Sequence, residues 1–389
     1  MNATKNEGFS KWVACWGTAT SITKRTETTY AKDLTLRYPI KICFNGSKLR
    51  FTFSNLTGTE DVMVTKAFCA KKGACQYKPV AITKNGAASF LIPAGKEITS
   101  DQIDFAVTAG DTLDVSMYFE GYTQMNAGTV ILSPLEKGAF AYGDFCAAEN
   151  FPDDISAAAN AFYFLNTIDV FTEEKNRALI CYGDSITCCS WVDYLRERAF
   201  KGGKGNISVI RRAVCGTRIL RQYDCITYQA YGLKGAARFP IESKAAGADA
   251  IIIHHGINDI IHPVGVEVNK FRPWSDLPSV ADLIEGVQKI YVEPARKAGL
   301  KVYGATLLPI YGWRTYNEKR EAMRQEFNEW IRASKDFDGF VDFDASVRDA
   351  RNPKAFMGDC DSGDHLHPSE RACQLMAQAV PEEWIKAAL

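Results

Sequence analysis

Two short stretches hold most of the residues whose types and spacing could do chemistry. In the first, Gly183-Asp184-Ser185-Ile186-Thr187 follows the apolar run Ala178-Leu179-Ile180-Cys181-Tyr182 and leads into a helical pattern. A serine at such a strand-to-helix turn is presented at a sheet edge with helix amides close by, where a nucleophile would be useful. The same residues also make ordinary turns and helix caps. In the second, Asp361-Ser362-Gly363-Asp364-His365-Leu366-His367-Pro368 stands before the last helical pattern. An aspartate three residues from a histidine on a loop can accept the imidazole N–H, fix its tautomer and leave the other nitrogen to take a serine proton. Asp364 and His367 have that spacing, and Pro368 suits a helix start.

Two further stretches could serve the same reaction. Gly216, after Arg211-Arg212-Ala213-Val214-Cys215, permits close backbone approach, and its amide could donate to an oxyanion. His254-His255-Gly256-Ile257-Asn258-Asp259 brings an asparagine amide as another donor. The chain has five histidines, 254, 255, 262, 365 and 367, so any imidazole base is one of them. His254, His255 and Trp313 are candidates for lining a substrate cleft, and His262 lies in a stretch, 261–278, rich in proline and aromatics. A different chemistry can also be drawn: His365, His367, Asp361, Asp364 and the His254–His255 pair could hold a metal that activates water.

The elements that must position these residues fall into two textures. Up to about residue 172 the chain reads as short strands with a period of two, such as 48–53, 88–92, 103–107 and 112–118, punctuated by Asn45-Gly46, Asn85-Gly86 and Ala109-Gly110-Asp111. This predicts half-buried antiparallel strands of an all-β sandwich. From about residue 173 continuous apolar strands, at 178–182, 207–210, 248–253, 302–307 and 340–343, alternate with helical patterns near 191–200, 277–298, 318–334 and from 369 to the end. Such alternation predicts a five-stranded parallel sheet between helices, with ligands at the carboxyl ends of the strands. The expected division is 1–172 and 173–389.

Gly-Asp-Ser, then Gly216, then Gly-x-Asn-Asp, then Asp-x-x-His-Pro, in this order and each at a predicted strand end, is similar to the SGNH or GDSL hydrolase superfamily from about residue 176 onward. The stretches 304–309, 328–332, 341–344 and 361–368 resemble a branch of acylhydrolases and arylesterases from xylan-degrading bacteria. Trp12 to Trp16 and the turn at 90–95 resemble, more weakly, the β-sandwich (jelly-roll-like) that precedes the hydrolase domain there. The resemblance implies a flavodoxin-like three-layer α/β/α domain, Ser185 as nucleophile, His367 as general base and Asp364 as its orienting partner. It implies an oxyanion hole from the amides of Ser185 and Gly216 and the side chain of Asn258. The expected activity is a serine esterase working through an acyl-enzyme, an acetyl esterase on acetylated xylan- or mannan-type oligosaccharides. The alternatives are a general short-chain acylhydrolase, arylesterase or lipase. Isoleucine 186 stands where the family name has leucine and is expected to pack into the sheet. The sandwich could be a carbohydrate-binding module stacking sugars on Trp12, Trp16, Tyr118, Phe119 or Tyr122, or a scaffold walling the cleft.

Composition narrows the classes. With 46 basic and 46 acidic residues the formal net charge is zero, which disfavours nucleic acid or an anionic membrane as partner and suits a small-molecule or oligosaccharide ester. Hydrophobic residues make up 46%, a globular composition far from that of disordered chains. The 12 cysteines form no paired CxxC knuckles, so neither structural zinc nor a disulfide framework is expected. No cofactor and no metal are expected. The start, MNATKNEGFSKW, has no apolar signal region, and no run is long enough to span a membrane, so a cytoplasmic setting with reduced thiols is expected.

Overall fold

The computed structural model describes residues 8–21, 29–201, 205–223 and 231–386. Two antiparallel sheets form the first part. One joins Phe9–Gly17, Leu165–Glu173, Gly46–Ser54 and Ile103–Val107, with Glu97–Thr99 added beside Gly46–Ser54. The other runs Ser156–Ala159, Gly138–Tyr142, Leu34–Lys41, Thr112–Phe119, Lys66–Lys71 and Val80–Ala81. Alternate side chains, among them Leu49, Phe51 and Phe53 from the first sheet and Leu36, Tyr38 and Val115 from the second, enter a common core. This is the expected sandwich, with one departure. Thr112–Phe119 is buried along nearly its whole length instead of on one face, because the segment after Tyr142 folds over it. Arg37 fastens that segment, bonding to Ser116 Oγ at 2.8 Å, Glu149 O at 2.9 Å and Ala148 O at 2.6 Å.

The second part is a parallel sheet of Arg177–Gly183, Ile207–Ala213, Ala248–His254, Lys301–Ala305 and Gly339–Val341, here called the first to fifth parallel strands. Their spatial order is second, first, third, fourth, fifth. The sheet is thus flavodoxin-like, and the point where its order reverses lies beside the first strand, the crevice position for ligands. The continuous apolar runs are explained by burial on both faces, as in Leu179, Ile180, Ile251 and Ile252. Two predicted strands end early: Thr306 and Leu307 leave the sheet, and Phe343 opens a short helix capped by Asp342, whose side chain accepts from Ala345 N. The pattern at 277–298 is a helix with a π turn at Gln288–Val292. The C-terminal pattern breaks at Val380 before Pro381, and its last residues lie outside the described ones. The helix Gly235–Glu242 has no counterpart among the predicted elements; Pro240 within it and its short length hide the period.

The two parts share one continuous apolar core. Phe9–Gly17 runs alongside the second parallel strand: Ser208 Oγ donates to Ala14 O, and Ala14 N donates to Ala246 O at 2.9 Å. Arg212 is buried and crosses the seam to Thr167 Oγ1 at 2.7 Å and Asn166 Oδ1 at 3.0 Å. Among the described residues no helix is long and apolar enough to cross a membrane.

Candidate active site

The first parallel strand delivers Ser185. Gly183 sits where this strand and the third converge; a Cβ there would lie 2.4 Å from His254 O, so the strand end closes only around glycine. Asp184 caps the following turn by accepting from Ile186 N at 3.1 Å. Burial pushes the Asp184 carboxyl up to about 7, against the pull of that amide, so near neutrality much of it is protonated. Ser185 is the first residue of a one-turn helix, Ser185–Cys188. Ile186 is fully buried in the core, where the leucine of the motif was expected to pack.

The loop before the last long helix delivers the histidine. His367 Nε2 lies 2.8 Å from Ser185 Oγ, and His367 Nδ1 lies 2.6 Å from Asp364 Oδ2. A carboxylate only accepts, so Nδ1 carries the proton and Nε2 is left to accept from the serine hydroxyl. The other Asp364 oxygen accepts from the amides of His367 at 2.8 Å and Leu366 at 3.0 Å. Burial raises the Asp364 carboxyl, but the His367 bond and these amides outweigh it and hold it well below the usual carboxylate range. Burial likewise disfavours the His367 imidazolium, yet the bond to and charge of Asp364 prevail, and His367 stays above its ordinary 6.5. The loop is tied independently of the site: Asp361 accepts from Gly363 N at 2.8 Å and from His365 Nδ1 at 2.5 Å, and Ser369 N donates to Cys360 O at 2.9 Å.

Gly216 and Asn258 stand opposite. Gly216 has φ +75°, and a Cβ there would lie 2.2 Å from the Tyr231 ring. Asn258 donates one amide hydrogen to Thr217 O at 3.0 Å, which leaves its second hydrogen for another acceptor. Asp259 takes the amides of Ile219 at 2.8 Å and Leu220 at 3.1 Å, so adjacent residues of one turn grip the loop that carries Gly216.

Ser185, Gly216, Asn258, Asp364, His367 and Trp313 line one cavity of about 420 Å³. Its remaining wall includes Ser21, Thr129, Val130 and Leu132 from the sandwich, together with Tyr231, His262 and Arg314. Sequence reasoning missed these sandwich residues. They carry no motif; their place is fixed by bonds to backbone carbonyls of the other part, from Leu132 N to Cys188 O at 2.8 Å and from the Thr129 hydroxyl to Ala213 O at 3.3 Å.

Two expected cleft residues are corrected. His254 and His255 are buried and do not line the cavity. They end a central strand, so their side chains face the layers of the domain: His254 packs on Phe343, with ring centroids 5.5 Å apart. His255 donates through Nε2 to Thr217 O at 3.0 Å, and its Nδ1 accepts from Tyr291 OH at 2.7 Å. Burial first, then the Arg238 charge, pushes it down to about 3, so it is a neutral support for the Gly216 loop. His262 instead does reach the cavity, stacked on Tyr231 at 5.3 Å. His365 is exposed and paired with Asp361. The proposed sugar platforms Trp16, Tyr118 and Phe119 are buried, and Trp12 is covered by Arg50 at 4.6 Å; Tyr122 alone of that group is widely exposed. The drawn metal site does not assemble: each histidine of the loop turns to its own aspartate, and among the described residues no three His, Cys, Asp or Glu side chains converge on one point. Cys181, Cys188 and Cys189 are buried, and Cys215 is partly exposed in the cavity wall.

Among solved structures the chain is similar to a catalytic mutant of Axe2, an acetylxylan esterase from Geobacillus stearothermophilus, at 17% identity over 55% of this chain and 95% of that one, with TM-score 0.41. It is also similar to AlAXEase, an acetyl xylan esterase, at 17% identity over 52% of this chain and 96% of that one, with TM-score 0.37. No curated protein matches. The GDSL-like lipase/acylhydrolase family matches residues 181–375, half of the chain, from the strand before Ser185 through the loop of His367. The chain therefore belongs to the GDSL-like lipase/acylhydrolase family and is a hydrolase acting on esters.

Proposed function

We propose that the protein is a serine esterase that releases acetyl groups from acetylated xylan- or mannan-type oligosaccharides through an acyl-enzyme. The observation that carries the serine mechanism is the continuous chain from Ser185 Oγ to His367 to Asp364, at 2.8 and 2.6 Å, inside a walled cavity. His367 takes the Ser185 proton, and the serine oxygen attacks the ester carbonyl. Negative charge on the carbonyl oxygen falls to the amides of Ser185 and Gly216 and the free hydrogen of Asn258. As the tetrahedral intermediate collapses, the imidazolium returns the proton to the departing alcohol; water then repeats the cycle on the acyl-serine. A donor lost from such a hole costs about 10²–10³-fold.

The family supports acyl-ester hydrolysis, and the acetyl-sugar part of the reading is supported by the character of the cavity, whose wall mixes hydroxyls and an amide side chain with aromatic rings. The sandwich serves as a wall of this cavity, a reading supported by Ser21, Thr129, Val130 and Leu132 and by burial of most of its candidate stacking aromatics.

The test is acetate release from acetylated xylo- and manno-oligosaccharides beside hydrolysis of short- and long-chain nitrophenyl esters. Ser185→Ala and His367→Ala are expected to lose activity by at least about 10³-fold, while His365→Ala keeps it. Full activity in Ser185→Ala would remove the serine mechanism. Preference for long acyl chains would replace the acetyl-sugar reading with a lipase.

A further inference from the structure

The helix that begins at Ser185 is a single turn. One turn cannot hold itself, because nucleation fixes several dihedrals for one hydrogen bond and the last carbonyls of a helix lack partners within it. Its direction, and with it the Ser185 hydroxyl, is set by the groups that donate to those carbonyls. Leu132 N, from the sandwich, donates to Cys188 O at 2.8 Å. Cys189 donates back to Ile186 O through its amide at 3.2 Å and to Ser185 O through its Sγ at 3.3 Å, and Arg211, from the second parallel strand, holds the end of the turn through Nε to Thr187 O at 3.2 Å and Nη2 to Cys189 O at 3.4 Å. Arg211 is fully buried, so its charge must be matched and its donors must be held in place. Asp193, on the following helix, takes Nη2 at 2.6 Å. The other carboxylate is Glu136, from the sandwich, bonded to Nη1 of Arg211, to Nε1 of Trp16 and, at 2.8 Å, to Nη1 of Arg196. Burial works against ionisation of Glu136, but the two arginines overcome it and hold the carboxyl below its usual range.

We propose that Glu136 is a positioning residue for the nucleophile. It locks Arg211 against the carbonyl end of the Ser185 turn, which makes the sandwich a working part of the active site and not only its wall. The proposal rests on the reading of Ser185 as nucleophile.

Glu136→Gln in the full chain keeps the shape and removes the charge. Three quantities are read: kcat and KM on a short-chain nitrophenyl ester, the rate of covalent labelling by an organophosphonate, and the number of sites labelled at completion. The expected result is kcat per labelled site lower by about 10-fold or more, KM within about twofold, and labelling slowed in step with kcat. A merely structural role would lower the melting temperature and the number of sites while leaving kcat per site at the wild-type value, and that result overturns the proposal. Should Glu136→Gln fail to fold, Trp16→Phe decides: it removes one donor to Glu136 and leaves every charge. A kcat per site lower by about two- to fivefold then supports the proposal, and wild-type kcat overturns it. Ser185→Ala separates the two failures. A Ser185→Ala chain that still turns over removes the nucleophile reading and the proposal with it; a dead Ser185→Ala beside an unimpaired positioning variant removes the proposal alone.

Discussion

His367 is where the chemistry of single residues is decided. Its imidazole is pulled in two directions, down by burial and up by Asp364, and Asp364 wins. In the proposed mechanism only the neutral imidazole accepts the serine proton, so raising its pKa moves the acid limb of activity to higher pH. The kcat/KM profile is expected to rise with a midpoint above 6.5, the ordinary histidine value. Asp364→Asn removes the main opposition to burial, leaving only the smaller pull of Cys215 and Asp184, and frees Nδ1 to take the wrong tautomer. It should shift the midpoint below 6.5 and lower kcat by about 10²–10⁴-fold. A midpoint unmoved by Asp364→Asn would mean that another group titrates. Asp184, one residue before the serine, is pushed up chiefly by burial, with the charge of Asp259 adding to it, toward a neutral cap that adds less negative charge beside the forming oxyanion.

Elements enter through their ends. Each of the first three parallel strands terminates in a turn that contributes to the cavity, and each turn is secured by a neighbour: Asp184 on its own helix, Tyr231 over Gly216, Asp259 on the loop beyond Gly216. Gly216→Ala tests this scale directly. At φ +75°, with a ring carbon 2.2 Å from the new Cβ, it should cost about 1–3 kcal/mol of stability and about 10²-fold in kcat as the amide moves away. Asn258→Ala has no such backbone conflict and loses one bond to Thr217 O, which keeps His255 as a donor, so it should lose comparable activity at a smaller cost in stability. Denaturant titration and steady-state kinetics on both variants check the pair; equal loss of stability in the two would show that the Gly216 loop is less constrained than its geometry requires.

At the scale of the whole molecule we propose that the division into 1–172 and 173–389 is one of topology and not one of stability. The apolar core runs through both parts, and buried arginines 211 and 212 each find acceptors across the seam. Separating the parts would take Glu136 from Arg211 and the Thr18, Asn166 and Thr167 oxygens from Arg212, and would expose the apolar core the two parts share. Scanning calorimetry of the full chain is therefore expected to show a single cooperative transition, with loss of esterase activity coincident with it. Two resolved transitions, with activity following only one, would show that the parts fold independently.

What was legible in the sequence was local. Strand-to-helix punctuation put Ser185 at a turn, the three-residue spacing joined Asp364 to His367, and uninterrupted apolar runs announced a sheet buried on both faces. These are consequences of backbone geometry over a few residues, and single-chain patterns carry them. His254 and His255 show the limit: a histidine beside a cleft and a histidine beneath one have the same neighbours in sequence, and only the packing of Phe343 and Tyr291 told them apart. The sandwich contribution was invisible for the same reason. Leu132 acts through its amide, Val130 through its shape and Glu136 through an arginine 75 positions away, and no spacing rule encodes a contact made by the folding of one half of a chain against the other.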